Sequence, residues 1–79
     1  MTIAQRIRLE AIRHNMTQVE LATRLGISAQ YVSDILRSRR SVSAFVAVRL
    51  ERVLGLDAHR LLEEQSIDEL KYAREELRP

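Results

Sequence analysis

Cysteine is missing from the chain, which removes disulfides, thiolate metal sites and cysteine nucleophiles together. Tryptophan is missing too, and three aromatics, Tyr31, Phe45 and Tyr72, leave the core to be built from Leu, Ile, Val and Ala. Two glycines and one proline are too few for a loop-rich chain, and 46% hydrophobic with 30% charged residues fits a globular one. Long apolar runs are absent: the longest, Ala44 to Val48, falls far short of the ~20 residues a membrane span needs. Gln5, Arg6 and Arg8 interrupt any signal-peptide core, so a cytoplasmic protein with no membrane partner is expected. The 79 residues suffice for one domain, residues 1–79, and are too few for two. A domain of this size buries only about 60% of its unfolded surface and is marginal alone.

Charge is present in both signs but unevenly placed. Residues 1–40 hold seven arginines against three acids (Glu10, Glu20, Asp34), net +4. Residues 41–79 hold six Lys or Arg against eight acids, net −2. A basic half can face a polyanion while the acidic half faces elsewhere.

Helical periodicity runs from end to end, with no alternating strand pattern, no Asn-Gly or Asp-Gly turn and no internal repeat. Ile3, Ala4, Ile7, Ala11 and Ile12 make the apolar stripe of a first helix ending near His14. Thr17 to Glu20 reads as a capping box opening a second helix, which buries Leu21, Ala22 and Leu25 and stops at Gly26. Ser28 caps a third helix with Val32, Ile35 and Leu36 inward. Ser38 to Ser41 has no apolar residue and reads as a loop. Ser43 caps a fourth helix, in which Val46 or Ala47, Leu50, Val53 and Leu54 face inward and Gly55 ends the run. Asp57 caps a fifth, with Leu61 and Leu62 buried. Ser66 to Glu69 offers another capping box, so residues 67–77 are either a separate helix or a continuation of the fifth.

A helix, a short glycine turn and a second helix over about residues 17–37 is the helix-turn-helix arrangement. Ala22 is small enough for the second helix to cross closely, Gly26 makes the turn, and Ile27 fills the corner. The run Met16 to Ser28, then Val32 to Leu36, Arg39-Arg40 and Leu50 to Gly55, resembles the Cro/C1-type (XRE-like) helix-turn-helix family over about residues 4 to 64. The resemblance implies an all-α, five-helix, lambda-repressor-like DNA-binding domain, here with a C-terminal helical extension over about 66–78. It also implies a dimeric transcriptional repressor acting on its own operon. Ser28 to Gly55 is further similar to plasmid-maintenance antitoxins of the HigA/VapI kind, where a toxin protein is a second partner. Those antitoxins carry an aromatic pair where Arg60 and Leu61 stand here.

With Val32, Ile35 and Leu36 inward, 100° per residue places Gln30, Asp34 and Arg37 on the opposite face, flanked by Ala29 and Ser33. Glutamine can pair with adenine, arginine with guanine, and aspartate can accept from cytosine N4. Periodicity alone favours a solvated face with an Arg37–Asp34 pair. The family resemblance implies that this helix enters the major groove. It also implies a phosphate contact for Gln18 at the start of the second helix. Ser28, Arg39, Arg40, Ser41 and Ser43 are further candidates for phosphate, the serines beside helix N-termini. Ala29 stands where the family often has a polar base contact. Phe45 occupies an often polar position.

Enzyme, metal and cofactor functions find no support. Glu10–His14 and His59–Glu63 are each one helical turn apart and lack the third ligand a zinc site requires. There is no HExxH, phosphate-binding glycine loop or Ser-His-Asp pattern. The rival function is a helical protein-interaction module that binds a toxin and never DNA. No linker precedes Pro79, which favours a self-contained regulator. One recognition helix reads few base pairs, so a homodimer is expected, with Phe45, Leu61, Leu62, Leu70 and Leu77 as its interface.

Overall fold

The computed structural model describes residues 1–78, and Pro79 lies outside the described residues. Five helices follow one another: α1 (Ile3–Arg13), α2 (Gln18–Leu25), α3 (Ala29–Leu36), α4 (Ala44–Leu54) and α5 (Ala58–Glu76). Each opens on a side-chain cap, from Thr2, Thr17, Ser28, Ser43 and Asp57. The complete capping box lies on α1, where Thr2 accepts from the Gln5 N–H and the Gln5 side chain accepts from the Thr2 N–H. At α2 the expected box is only half made. Thr17 Oγ1 accepts from the Glu20 N–H, but the Glu20 carboxylate accepts from the Thr17 hydroxyl, at 3.2 Å, instead of from its backbone.

Gly26 (φ 68°) and Gly55 (φ 74°) end α2 and α4 in the left-handed conformation expected of them. Two further helix ends use the same conformation without glycine. Asn15 (φ 56°) follows α1 and Ser38 (φ 58°) follows α3. At both, the next N–H reaches back across the turn: Met16 to Ala11 O at 2.8 Å and Arg39 to Asp34 O at 2.8 Å. Asparagine tolerates this region better than most residues, whereas serine at that position carries strain.

The core is one aliphatic cluster centred on Ile7, Leu21, Leu25, Leu50 and Leu61. The inward faces of α2, α3 and α4 are as the periodicity predicts, with Val53 half-buried at the margin. Val42 and Leu56 join the core from loops, where no helical pattern marks them. Ile12, expected on the inner stripe, is exposed instead. It falls outside the 100° arc already filled by Ala4, Ile7 and Ala11.

Residues 67–76 continue α5, so Ser66 lies inside one long helix and caps nothing. No glycine or proline interrupts Glu63 to Lys71, and a single mid-helix serine costs only tenths of a kcal/mol. From Ser66 onward every described residue is exposed, and the molecule measures 45 × 23 × 21 Å, drawn out along its longest axis. No helix among the described residues is long and apolar enough to cross a membrane.

Candidate nucleic-acid interface

Two helices joined through Gly26 and Ile27 form the unit, and arginines from outside it hold both helix ends. Arg49 of α4 donates from Nη1 to the Leu25 carbonyl at 2.8 Å, closing the C-terminus of α2. Arg8 of α1 donates from Nη2 to the Leu36 carbonyl at 3.4 Å, at the end of α3. Both place a cation where the helix dipole favours one. The Arg49 contact also bears on Gly26, since a Cβ there would lie 3.2 Å from Arg49 Nη1. Neither Arg8 nor Arg49 stands out in the sequence as a helix cap. Such long-range caps have no local signature.

On α3, Val32, Ile35 and Leu36 are buried, and the opposite face carries the expected set. Ala29, Gln30 and Arg37 are exposed, and Ser33 and Asp34 are half-exposed. The Asp34 partner is not Arg37: Gln30 Nε2 donates to Asp34 Oδ1 at 2.9 Å, one helical turn back. Arg37, at the C-cap of α3, is left without an ion pair among the described residues.

The basic N-terminal half now resolves residue by residue. Arg6 bonds Glu64 across α1 and α5 at 2.8 Å, Arg13 pairs with Glu10 at 3.0 Å, and Arg8 closes α3. Arg24, Arg37, Arg39 and Arg40 make no ion pair among the described residues, and all are exposed. These four sit on α2, at the end of α3 and in the loop after it. Arg40 lies over the Tyr31 ring, 4.0 Å from its centroid, a cation–π contact that directs it toward α3.

The remaining polar candidates divide. Gln18 is exposed at the first turn of α2. Ser28 Oγ accepts from the Tyr31 N–H at 3.0 Å and Ser43 Oγ accepts from the Val46 N–H at 3.2 Å, which leaves each hydroxyl proton free to donate. Ser41 differs: its hydroxyl already donates to Glu69 Oε1 of α5 at 2.8 Å. An acid therefore sits where a phosphate contact was expected.

The expected dimer residues also divide. Leu61 is 1% exposed and belongs to the monomer core, so it is withdrawn from any partner surface. Leu62 is half-buried against that core. Phe45, Leu70 and Leu77 are exposed, at 79%, 52% and 83%. Ile67 and Tyr72, outside the expected set, are exposed as well. Ile67, Leu70 and Leu77 recur at three- and seven-residue spacing, on one side of α5.

Residues 6–61 match the helix-turn-helix family. No curated protein sequence matches the chain significantly. Among solved structures the chain is similar to the Pseudomonas aeruginosa antitoxin HigA determined with the higBA promoter. That likeness has 31% identity and a TM-score of 0.82, over 94% of this chain and 82% of that one. An addiction module antidote protein of the HigA family from Coxiella burnetii aligns at 25% identity and TM-score 0.81, over 96% of this chain and 84% of that one. A Pseudomonas aeruginosa protein solved with its 18-bp operator DNA aligns at 28% identity and TM-score 0.74, over 100% and 95%. The unit built around Ala22, Gly26 and α3 lies within the matched residues, and the chain belongs to the Cro/C1-type helix-turn-helix family, with HigA-type antitoxins among its structural likenesses.

Proposed function

We propose that the protein is a sequence-specific DNA-binding transcriptional regulator of the antitoxin kind, a repressor that binds a two-fold operator in its own operon as a homodimer. The observation that carries this reading is the outer face of α3, polar from Gln30 to Asp34, with four exposed arginines on and beside it that make no ion pair among the described residues. Likenesses solved with a promoter and with an operator support it.

The recognition chemistry follows from the atoms. Gln30 Nε2 carries two protons, so one can hold Asp34 while the other donates to adenine N7 and Oε1 accepts from adenine N6. The Asp34 bond fixes the amide plane before DNA arrives, which reduces the ordering cost of binding. The second Asp34 oxygen can accept from cytosine N4, and Arg37 can span guanine O6 and N7. Gln18 and the first N–H groups of α2, with Ser28, Ser43, Arg39 and Arg40, meet phosphates and set the register. Two such units about 34–36 Å apart, one DNA turn, would read both half-sites and exclude polymerase from the promoter. The exposed apolar side of α5 serves protein partners, a second copy first and a toxin second.

Selection of bound duplexes from a random DNA pool, followed by titration at two salt concentrations, tests this reading. Recovery of a two-fold motif and a falling affinity with salt are expected. A protein that enriches no sequence and binds no duplex at either salt concentration is the protein-interaction module instead.

A further inference from the structure

The loop between α3 and α4 is fixed at both ends. At its start, Ser38 takes a left-handed conformation and its N–H donates to Ile35 O at 3.0 Å. At its end, the Val42 side chain is buried at 3% exposure. The backbone of Val42 is held by a side chain from α5, twenty-three residues on. Gln65 Oε1 accepts from the Val42 N–H at 2.7 Å, and Gln65 Nε2 donates to the Val42 carbonyl at 3.0 Å. One amide satisfies both hydrogen-bonding groups of a part-buried backbone unit. One turn further along α5, Glu69 accepts from Ser41. Arg39 and Arg40 lie between the two anchors and are exposed.

We propose that Gln65 is a positioning residue for DNA binding, holding the loop so that Arg39 and Arg40 meet backbone phosphates while Gln65 itself touches no DNA. This role rests on the proposed DNA-binding function and extends it to α5. Gln65 acts by preorganisation. A short polar loop with Val42 as its apolar anchor would otherwise sample many conformations, and ordering it at the moment of binding weakens affinity. Unpartnered, the Val42 N–H and carbonyl would be driven toward water, moving the loop that follows α3.

Gln65→Met keeps chain length and helix propensity and removes both bonds. In that variant the Val42 amide proton should exchange faster with solvent than in the parent protein. Affinity for a mixed-sequence DNA duplex should fall about five- to tenfold, measured where circular dichroism shows both proteins fully folded. Adding Arg39→Ala with Arg40→Ala to Gln65→Met should then cost less than adding them to the parent, because the arginines are already displaced. Gln65→Glu, a second variant, keeps an acceptor for the Val42 N–H and should keep that amide slow to exchange. A residue important only for stability would lower the melting temperature and leave the folded protein's affinity unchanged. Unimpaired binding by Gln65→Met, or strictly additive losses in the combined variant, overturns the role of Gln65 alone. A parent protein that binds no duplex overturns the DNA-binding function and this role with it, even where Val42 exchange changes as described.

Discussion

Helix α3 and the second half of α5 both present a face to solvent, with opposite chemistry. On α3 the apolar residues Val32, Ile35 and Leu36 are buried and the outer side is polar, ending in Arg37, which makes no ion pair among the described residues. On α5 beyond Ser66 nothing is buried, and Ile67, Leu70 and Leu77 stand in water among Asp68, Glu69, Glu75 and Glu76. An outer face that is polar and cationic suits a polyanion, whereas apolar side chains with no neighbour suit another protein. Under the proposed function, the charge asymmetry of the chain is a division of labour along it. The first half of α5 sits on the boundary, with Leu61 in the core and Glu64 bonded to Arg6 and Arg60.

The sharpest way to break this comparison is within α5. Leu61→Ala should lower the unfolding free energy by about 2–5 kcal/mol in a denaturant titration, at any protein concentration. Leu70→Ala should have little effect in a dilute monomer. Equal losses for the two would mean that the second half of α5 packs in the monomer. Next in size, Leu70→Glu should leave a folded monomer by sedimentation and weaken binding to a full operator by about 100-fold, since two linked half-sites become one. A parent protein that stays monomeric at micromolar concentration on a full operator would remove the dimer.

The legible parts of the fold are those that local chemistry marks. Thr17, Ser28, Ser43 and Asp57 announce helix starts because a side-chain oxygen must meet free N–H groups there, and Gly26 and Gly55 announce ends because they need no Cβ. The helix ends near His14 and Ser38 are legible where the apolar period stops, but the left-handed turns at Asn15 and Ser38 that close them are not, since neither residue type demands that conformation. The polar face of α3 was legible from period alone, but its pairing was not: Gln30 and Arg37 both lie within reach of Asp34, and only the coordinates select Gln30. Gln65, Arg8 and Arg49 were invisible as anchors, because each acts on backbone far along the chain. The leucines of α5 carried the opposite error. Leu61 carries two readings in sequence, buried in the fifth helix and part of a partner surface, and the point where α5 leaves the core decides for the first and leaves Leu70 outside.

Smaller effects sharpen the α3 side. Gln30→Ala and Arg37→Ala should each weaken operator binding by about 1–3 kcal/mol, with a smaller change on random DNA for Gln30→Ala. Equal losses on both DNAs for both variants would make these residues phosphate contacts and not base readers. Arg39→Ala and Arg40→Ala should weaken binding on every sequence and flatten the salt dependence by about one unit of slope per lost contact. An unchanged slope in the double variant would place the loop away from DNA.

The smallest effect has a sign that decides how α5 is built. If Ser66 were the cap of a separate last helix, Ser66→Ala would remove a side-chain acceptor and destabilise by about 1 kcal/mol. Inside a continuous helix Ser66 makes no capping bond, and alanine is the better helix former by a few tenths of a kcal/mol. Ser66→Ala should therefore raise helicity and the melting temperature slightly. The sign matters for the comparison between the two faces, because a continuous α5 ties the exposed leucines rigidly to Gln65 and Glu69, and through them to the loop beside α3. A lower melting temperature and reduced helicity in Ser66→Ala would instead describe a hinge at Ser66, with the apolar face of α5 free to move independently of the helix-turn-helix half.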